Sequence, residues 1–276
     1  MPTDTTRSEK EQALLHSWRH EAERPVEGWD FSHLDGRMDQ DQPPWDFDTM
    51  SRAALESAAH VLDMGTGGGE QLLRFADVLP PDTVATEGWA PNVPVARNVL
   101  GSHGISVVEY DPEADSAADR RMPFEDSRFD LILNRHEAFV ADEVCRVLTS
   151  GGRLLTQQVA GDDAHELRAL FGGAAHYPLI LMPLLLEQAA AAGLAIDDSR
   201  DWTGRYVFRD VGALVAYLRI VPWDAPDDFS VDRYADRLLR LHRDSAGSDI
   251  TLTMRRFWFQ AHRSAGTETR VDEEPS

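Results

Sequence analysis

Between residues 60 and 200, short apolar runs alternate with stretches whose apolar positions recur at helical spacing. Val61, Leu62 and Met64 close a run that reads as a buried strand. Leu72, Leu73, Phe75 and Ala76 then fall on one helix face. Pro80-Pro81 stops that helix. Strands are predicted over 83–87, 105–109 and 131–134, with another after Gly151-Gly152 at Arg153-Leu154-Leu155. Helices are predicted over 91–101, where Pro91 suits a first turn, and over 137–148. This alternation argues an α/β fold with a parallel, doubly wound sheet and right-handed crossovers. Helices over 162–171 and 178–192, with Gly193 as a stop, lead to a strand over 194–202; a last strand spans 250–261. The roughly fifty residues between these two strands are too many for a structureless loop. They hold an amphipathic helix over 210–220, then Val221-Pro222-Trp223, then a helix over 230–243. At the other end, helices are predicted over 11–23, with Ala13, Leu14 and Trp18 on one side, and over 47–59. The aromatic-rich stretch between them, including Trp29, Phe31, Arg37 and Trp45, has no period of its own. It reads either as packing or as a lid over a site.

The junction at 60–70 carries the first chemical signal. After Met64, Gly65, Gly67, Gly68 and Gly69 make a turn almost without side chains, and a helix follows. Such a turn lets backbone N–H groups approach a ligand closely. A dinucleotide-binding G-x-G-x-x-G would need glycine at position 70, where Glu70 stands, and no Gly-Lys-Ser/Thr marks a phosphate loop.

Asp63-x-Gly65-x-Gly67-x-Gly69, with Glu87 ending the next strand, resembles motif I and the ribose-binding acid of class I S-adenosylmethionine-dependent methyltransferases. Met122-Pro123-Phe124, a polar stretch and Phe129-Asp130 before an apolar strand resemble a second element of the small-molecule members. Thr149-Ser150-Gly151-Gly152-Arg153-Leu154 resembles their turn before strand five. The resemblance covers residues 55–200 and, more loosely, the last strand. It implies a Rossmann-like, seven-stranded sheet with strand seven antiparallel, and S-adenosyl-L-methionine as cofactor. Asp63, Gly65, Thr66, Gly67 and Gly69 would hold its amino-acid portion. Glu87 would take the ribose hydroxyls, with Gly88 beside it, and Trp89 would pack either on the adenine or in the core. An acid for the adenine amino group falls to Asp119, one residue off the common spacing, or to Asp115. After strand four, Asn134 would contact the methionine moiety, and Arg135 is a further candidate for cofactor binding. His136 is the candidate general base, its ordinary pKa lying near neutrality, unless it is merely structural. Trp29, Arg37, His136 and Tyr206 are the candidate acceptor contacts. Leu214-Val215-Ala216-Tyr217-Leu218-Arg219-Ile220-Val221-Pro222-Trp223 is also similar to the late segment of ribosomal RNA guanine methyltransferases, whose four-cysteine zinc module has no counterpart here.

The expected organisation is an N-terminal helical and loop extension over 1–54, the cofactor-binding core over 55–202, a helical cap over 203–249, the last core strand over 250–263 and a disordered tail over 264–276. One cysteine, Cys145, leaves no disulfide framework or cysteine-based zinc site, and no His/Cys/Asp/Glu cluster has metal-ligand spacing. No basic-plus-apolar leader or bilayer-length apolar run stands in the chain, so a cytoplasmic location without a membrane partner is expected. The formal charge of −21 opposes nucleic-acid binding and favours a small-molecule acceptor, methylated at O or N. RNA methylation and non-catalytic, regulatory cofactor binding are the alternatives.

Overall fold

The computed structural model describes residues 7–26 and 30–265. Trp29, the first six residues and the tail from 266 lie outside the described residues, as does most of the expected disordered tail. In chain order the elements are α1 (Glu9–Ala22), β1 (Met38–Gln40), α2 (Phe47–Leu55), β2 (His60–Met64), α3 (Glu70–Leu73), β3 (Asp82–Glu87), α4 (Val93–Gly101) and β4 (Ser106–Glu109). They continue with β5 (Phe129–Arg135), α5 (Ala141–Val147), β6 (Leu148–Val159), α6 (Glu166–Phe171), α7 (Met182–Ala191), β7 (Leu194–Phe208), α8 (Val211–Ile220), α9 (Ala235–Asp244) and β8 (Ile250–Arg263). The strands are hydrogen-bonded in the order β1-β7-β8-β6-β5-β2-β3-β4. The expected seven strands are there in a mixed sheet, and β1 is an eighth.

The chain divides into two compact units, through both of which β7 and β8 run. One comprises Asp46–Gln158, Met182–Arg200 and the stretch from Phe257. Its strands β4, β3, β2, β5 and β6 pair in parallel. A parallel strand covered on both faces is apolar along its length, and in β5 Phe129, Leu131 and Ile132 are fully buried. The register sets Asp63 beside Ala85 and Met64 beside Asn134, and aligns Glu87 with Glu109. The carboxyl ends of β2, β3 and β5 therefore lie side by side, the usual place for a ligand in an open α/β sheet.

Several helices here are shorter than the apolar spacing predicts, and two of them bear on the strand ends. α3 ends at Leu73, and the backbone continues in i→i+3 bonds from Arg74 to Gln71, Phe75 to Leu72 and Ala76 to Leu73. α5 begins at Ala141 rather than 137, because His136 turns left-handed at φ 67° and breaks the helical path. Residues 137–140 are loop instead.

The other unit comprises Met1–Trp45, Val159–Leu181 and Asp201–Arg256. Its core is built on α8, where nine of ten residues are buried; only Arg219 is exposed. The helix expected there was amphipathic. The observed one is apolar on every side, which is the signature of a helix enclosed by others. Leu15 and Trp18 of α1, Phe208 of β7 and Leu238 and Leu239 of α9 share its cluster. α1 opens on a capping box, with Ser8 and Glu11 each accepting the other's backbone N–H. β1 pairs antiparallel with β7, Met38 opposite Phe208 and Gln40 opposite Tyr206, within the stretch that carries no period in sequence.

Candidate active site

Three chain segments meet at the carboxyl ends of β2, β3 and β5. After β2, Gly65 and Gly67 take left-handed backbone angles, φ 64° and 63°, which side chains disfavour. The Thr66 amide donates to the Thr86 carbonyl at 2.9 Å, tying the turn to β3. A methyl group built on Gly67 would meet nothing within 4 Å, so the space over that one residue of the turn is open, whereas Gly65, Gly68 and Gly69 are covered by Glu137, Glu70 and Leu100.

Glu87, at the end of β3, is only 4 % exposed. Its two carboxylate oxygens accept the Gly67 amide at 2.7 Å and the Trp89 amide at 2.8 Å. Burial raises its pKa, and these backbone donors pull the other way. Asp63 is pushed up to about 7, by burial first and by the Glu87 charge as well. Gly88 has room for no side chain, since a methyl group there would lie 2.8 Å from the Tyr110 carbonyl. The Trp89 ring is 55 % exposed and lies outside the core.

At the end of β5, Asn134 is fully buried. Its carbonyl oxygen receives the Gln158 amide at 2.9 Å, the Thr156 hydroxyl at 3.3 Å and the Glu137 backbone N–H at 3.3 Å. Three donors on one atom fix the amide's orientation and leave Nδ2, a buried donor, without a partner among the described residues. His136 is exposed, and its Nε2 lies 3.0 Å from the Gln157 side-chain nitrogen. Arg135 pairs with Asp48 of α2 at 2.6 Å and lies over the Phe47 ring.

The other named residues stand elsewhere. Asp119 is exposed and accepts the Ser116 hydroxyl at 2.5 Å; Asp115 is exposed as well. In the unit built on α8, Arg37 is held by Glu21 and His33, each at 2.9 Å. Tyr206 is buried, donates to Asp163 at 2.9 Å and accepts from Arg256. Trp29 lies outside the described residues. A cavity of about 630 Å³ in that same unit is lined by Leu218, Trp223, Phe229 and His176, and among the described residues by none of the predicted site residues.

Glu137 was not among the sequence-predicted site residues. Its carboxyl folds back onto the glycine turn, so that a methyl group built on Gly65 would lie 2.5 Å from a Glu137 oxygen. Burial, then the charges of Glu87, Glu113 and Asp111, push its pKa up to about 8. Sequence spacing put it in a helix; only the left-handed turn at His136 frees it to reach the glycines.

A strand order with the last strand set between the fifth and sixth of the core, and a glycine turn after its first, define a Rossmann-like methyltransferase fold. A family model described as a methyltransferase domain matches residues 62–156, and the chain carries a class I S-adenosylmethionine-dependent methyltransferase domain. The fold is similar to that of YcgJ from Bacillus subtilis, at 20 % identity and TM-score 0.56, covering 80 % of this chain and 99 % of that one. It is similar also to a candidate methyltransferase of Bacillus halodurans, at 17 % identity and TM-score 0.55 over 80 % of this chain and 99 % of the other. A functionally unknown protein from Deinococcus radiodurans covers more, 93 % of this chain and 100 % of its own, at 16 % identity and TM-score 0.54. No curated protein matches the chain in sequence.

The residues fit S-adenosylmethionine, the cofactor of this domain. The turn has open space over Gly67, Glu87 is a buried carboxylate with lone pairs to spare, and Asn134 offers an unused donor. Among the described residues no His/Cys/Asp/Glu group could hold a metal ion, and no helix is long and apolar enough to cross a membrane.

Proposed function

We propose that this chain transfers the methyl group of S-adenosylmethionine to an oxygen or nitrogen of a small-molecule acceptor. The observation that carries the reading is the cluster of Gly67, Glu87 and Asn134, which brings open space, a buried carboxylate and an unused donor to adjacent strand ends. The net charge of −21 supports a small or cationic acceptor, since binding a polyanion rests on neutralising phosphates.

The cofactor, when bound, supplies a methyl group on a sulfonium, already a strong electrophile. Glu87 would accept both ribose hydroxyls through the lone pairs its two backbone donors leave free. Asn134 Nδ2 would donate to the methionine carboxylate. The adenine would lie on the exposed Trp89 ring. In-line placement of the acceptor supplies much of the rate, as fixing two reactants converts a bimolecular step to a unimolecular one.

We assign His136 the role of base, with Gln157 setting its tautomer. A Gln157 nitrogen facing Nε2 makes that atom an acceptor and puts the proton on Nδ1, leaving the ring no free lone pair, so the base role requires the other orientation of the amide. With the Gln157 carboxamide turned over, Nε2 carries the proton and Nδ1 is the base.

The test is titration of the full chain with S-adenosylmethionine, followed by incubation with methyl-labelled cofactor and either a small-molecule panel or total RNA. Binding at one site and a labelled small molecule are expected. Absence of binding overturns the cofactor site, and label found only in RNA overturns the acceptor class.

A further inference from the structure

We infer that the Glu137 side chain is the anionic partner of the cofactor's α-ammonium group, completing with Asn134 a site for the amino-acid end of S-adenosylmethionine. This rests on the proposed cofactor site.

The argument begins with direction. β2 lies between β3 and β5 in the sheet. A nucleoside whose sugar meets Glu87 on β3 therefore extends its other end across the Gly65–Gly67 turn toward β5. There it meets two groups. Asn134 offers a fully buried N–H without a partner among the described residues. Glu137 presses its carboxyl against the Gly65 backbone. The two are joined locally, since the Glu137 amide donates to Asn134 and the Glu137 carbonyl accepts the Gln158 amide at 2.9 Å. A donor on Asn134 and a carboxyl on Glu137, residues tied together through the Glu137 amide, suit an α-amino acid, which presents a carboxylate and an ammonium on one carbon. A buried unsatisfied amide is costly, and a ligand carboxylate satisfies it.

The charges around Glu137 come from several elements: Glu87 on β3, and Asp111 and Glu113 in the loop after β4. All are acidic. Tyr110, just after β4, also feels the Glu137 charge. In this company, and largely enclosed, the Glu137 carboxyl is pushed up to about 8, which favours its protonated form at pH 7. An ammonium placed beside it reverses the balance. The carboxyl ionises, and its proton leaves to the buffer as the cofactor binds.

The experiment is calorimetric titration of the full chain at pH 7 in two buffers of different ionisation enthalpy, which counts protons exchanged on binding. S-adenosylmethionine and S-adenosylhomocysteine, which share the ammonium, should each release close to one proton. Methylthioadenosine, which lacks the amino-acid end, should release markedly fewer. Glu137→Gln should bind S-adenosylmethionine roughly 10- to 100-fold more weakly, the usual effect of losing a charged hydrogen bond, with most of the proton release gone. Release that is equal for all three ligands, or unchanged in Glu137→Gln, overturns the assignment. So does release with S-adenosylmethionine alone, which would place Glu137 at the sulfonium. Failure of S-adenosylmethionine to bind at all is a different result and counts against the cofactor site itself. The ligand comparison uses the natural chain, so the assignment stays testable even if the variant does not fold.

Discussion

Gly67 and Glu87, twenty residues apart, are joined by a hydrogen bond of 2.7 Å from the turn's amide to the carboxylate that ends the next strand. One buried side chain thus ties the turn to the end of the next strand. Glu87→Ala should act twice. It removes the acceptor for the ribose, which should cost about 1.5–3 kcal/mol of cofactor binding. It also strips the Gly67 and Trp89 amides of their partner, which should lower stability by about 1–3 kcal/mol. Calorimetry and urea unfolding separate the two effects; unchanged cofactor affinity would remove Glu87 from the site.

The acids at this site predict an unusual pH dependence. Glu137 and Asp63 are pushed up to about 8 and about 7, chiefly by burial. In the unfolded chain both ionise near pH 4. Between these limits the folded state holds more protons than the unfolded one, so stability falls as pH rises. The slope is at most about 1.4 kcal/mol per pH unit for each proton. The ligand-free protein should therefore be more stable at pH 5 than at pH 8, with the slope reduced in Glu137→Gln. Unfolding midpoints that are flat over this range, or a variant with the natural slope, would contradict the assignment.

His136 and Gln157 make a second chemical prediction. His136→Ala should lower turnover by about a hundredfold, the lower end of what a general base supplies, and leave cofactor affinity alone. Gln157→Leu removes the group beside Nε2, and should shift the acid limb of the pH–rate profile, where the base takes up its proton, without abolishing turnover. A His136→Ala variant with full activity would reduce the residue to a structural turn.

How much of this was legible in the sequence depends on what each feature rests on. The strand, glycine turn and helix at 60–73 could be read because apolar period and glycine spacing are local properties. The chain from β2 to β6 followed for the same reason. β1 could not be read. It is three residues long, mostly exposed, and defined by its backbone pairing with β7 rather than by any side-chain pattern. Glu137 was hidden by a single dihedral angle: only the left-handed turn at His136, a conformation few residues other than glycine adopt, carries it out of a helical register. The enclosure of α8 was written in its composition, but small residues such as Gly212, Ala213 and Ala216 make an all-round apolar helix look one-sided.

The unit built on α8 carries its own buried charge, which gives a stability test independent of the cofactor. Arg256 donates to Asp163 at 2.9 Å and to the Tyr206 hydroxyl, which in turn donates to Asp163 at 2.9 Å. The Arg255 amide adds a further bond to Asp163 at 2.5 Å. Burial raises the Asp163 pKa, with Arg256 the strongest opposing influence. Arg256→Met should therefore leave a buried carboxylate without its counter-charge, at a cost of roughly 3–5 kcal/mol, whereas replacing both partners should cost much less. The single variant should also lose less stability at pH 5 than at pH 8, because Asp163 can take up a proton as its pKa rises further. Urea unfolding of Arg256→Met and of Asp163→Asn with Arg256→Met, each at both pH values, checks this. A single variant within about 0.5 kcal/mol of the natural chain, the range of ordinary surface substitutions, would show that the network contributes no more than a surface pair.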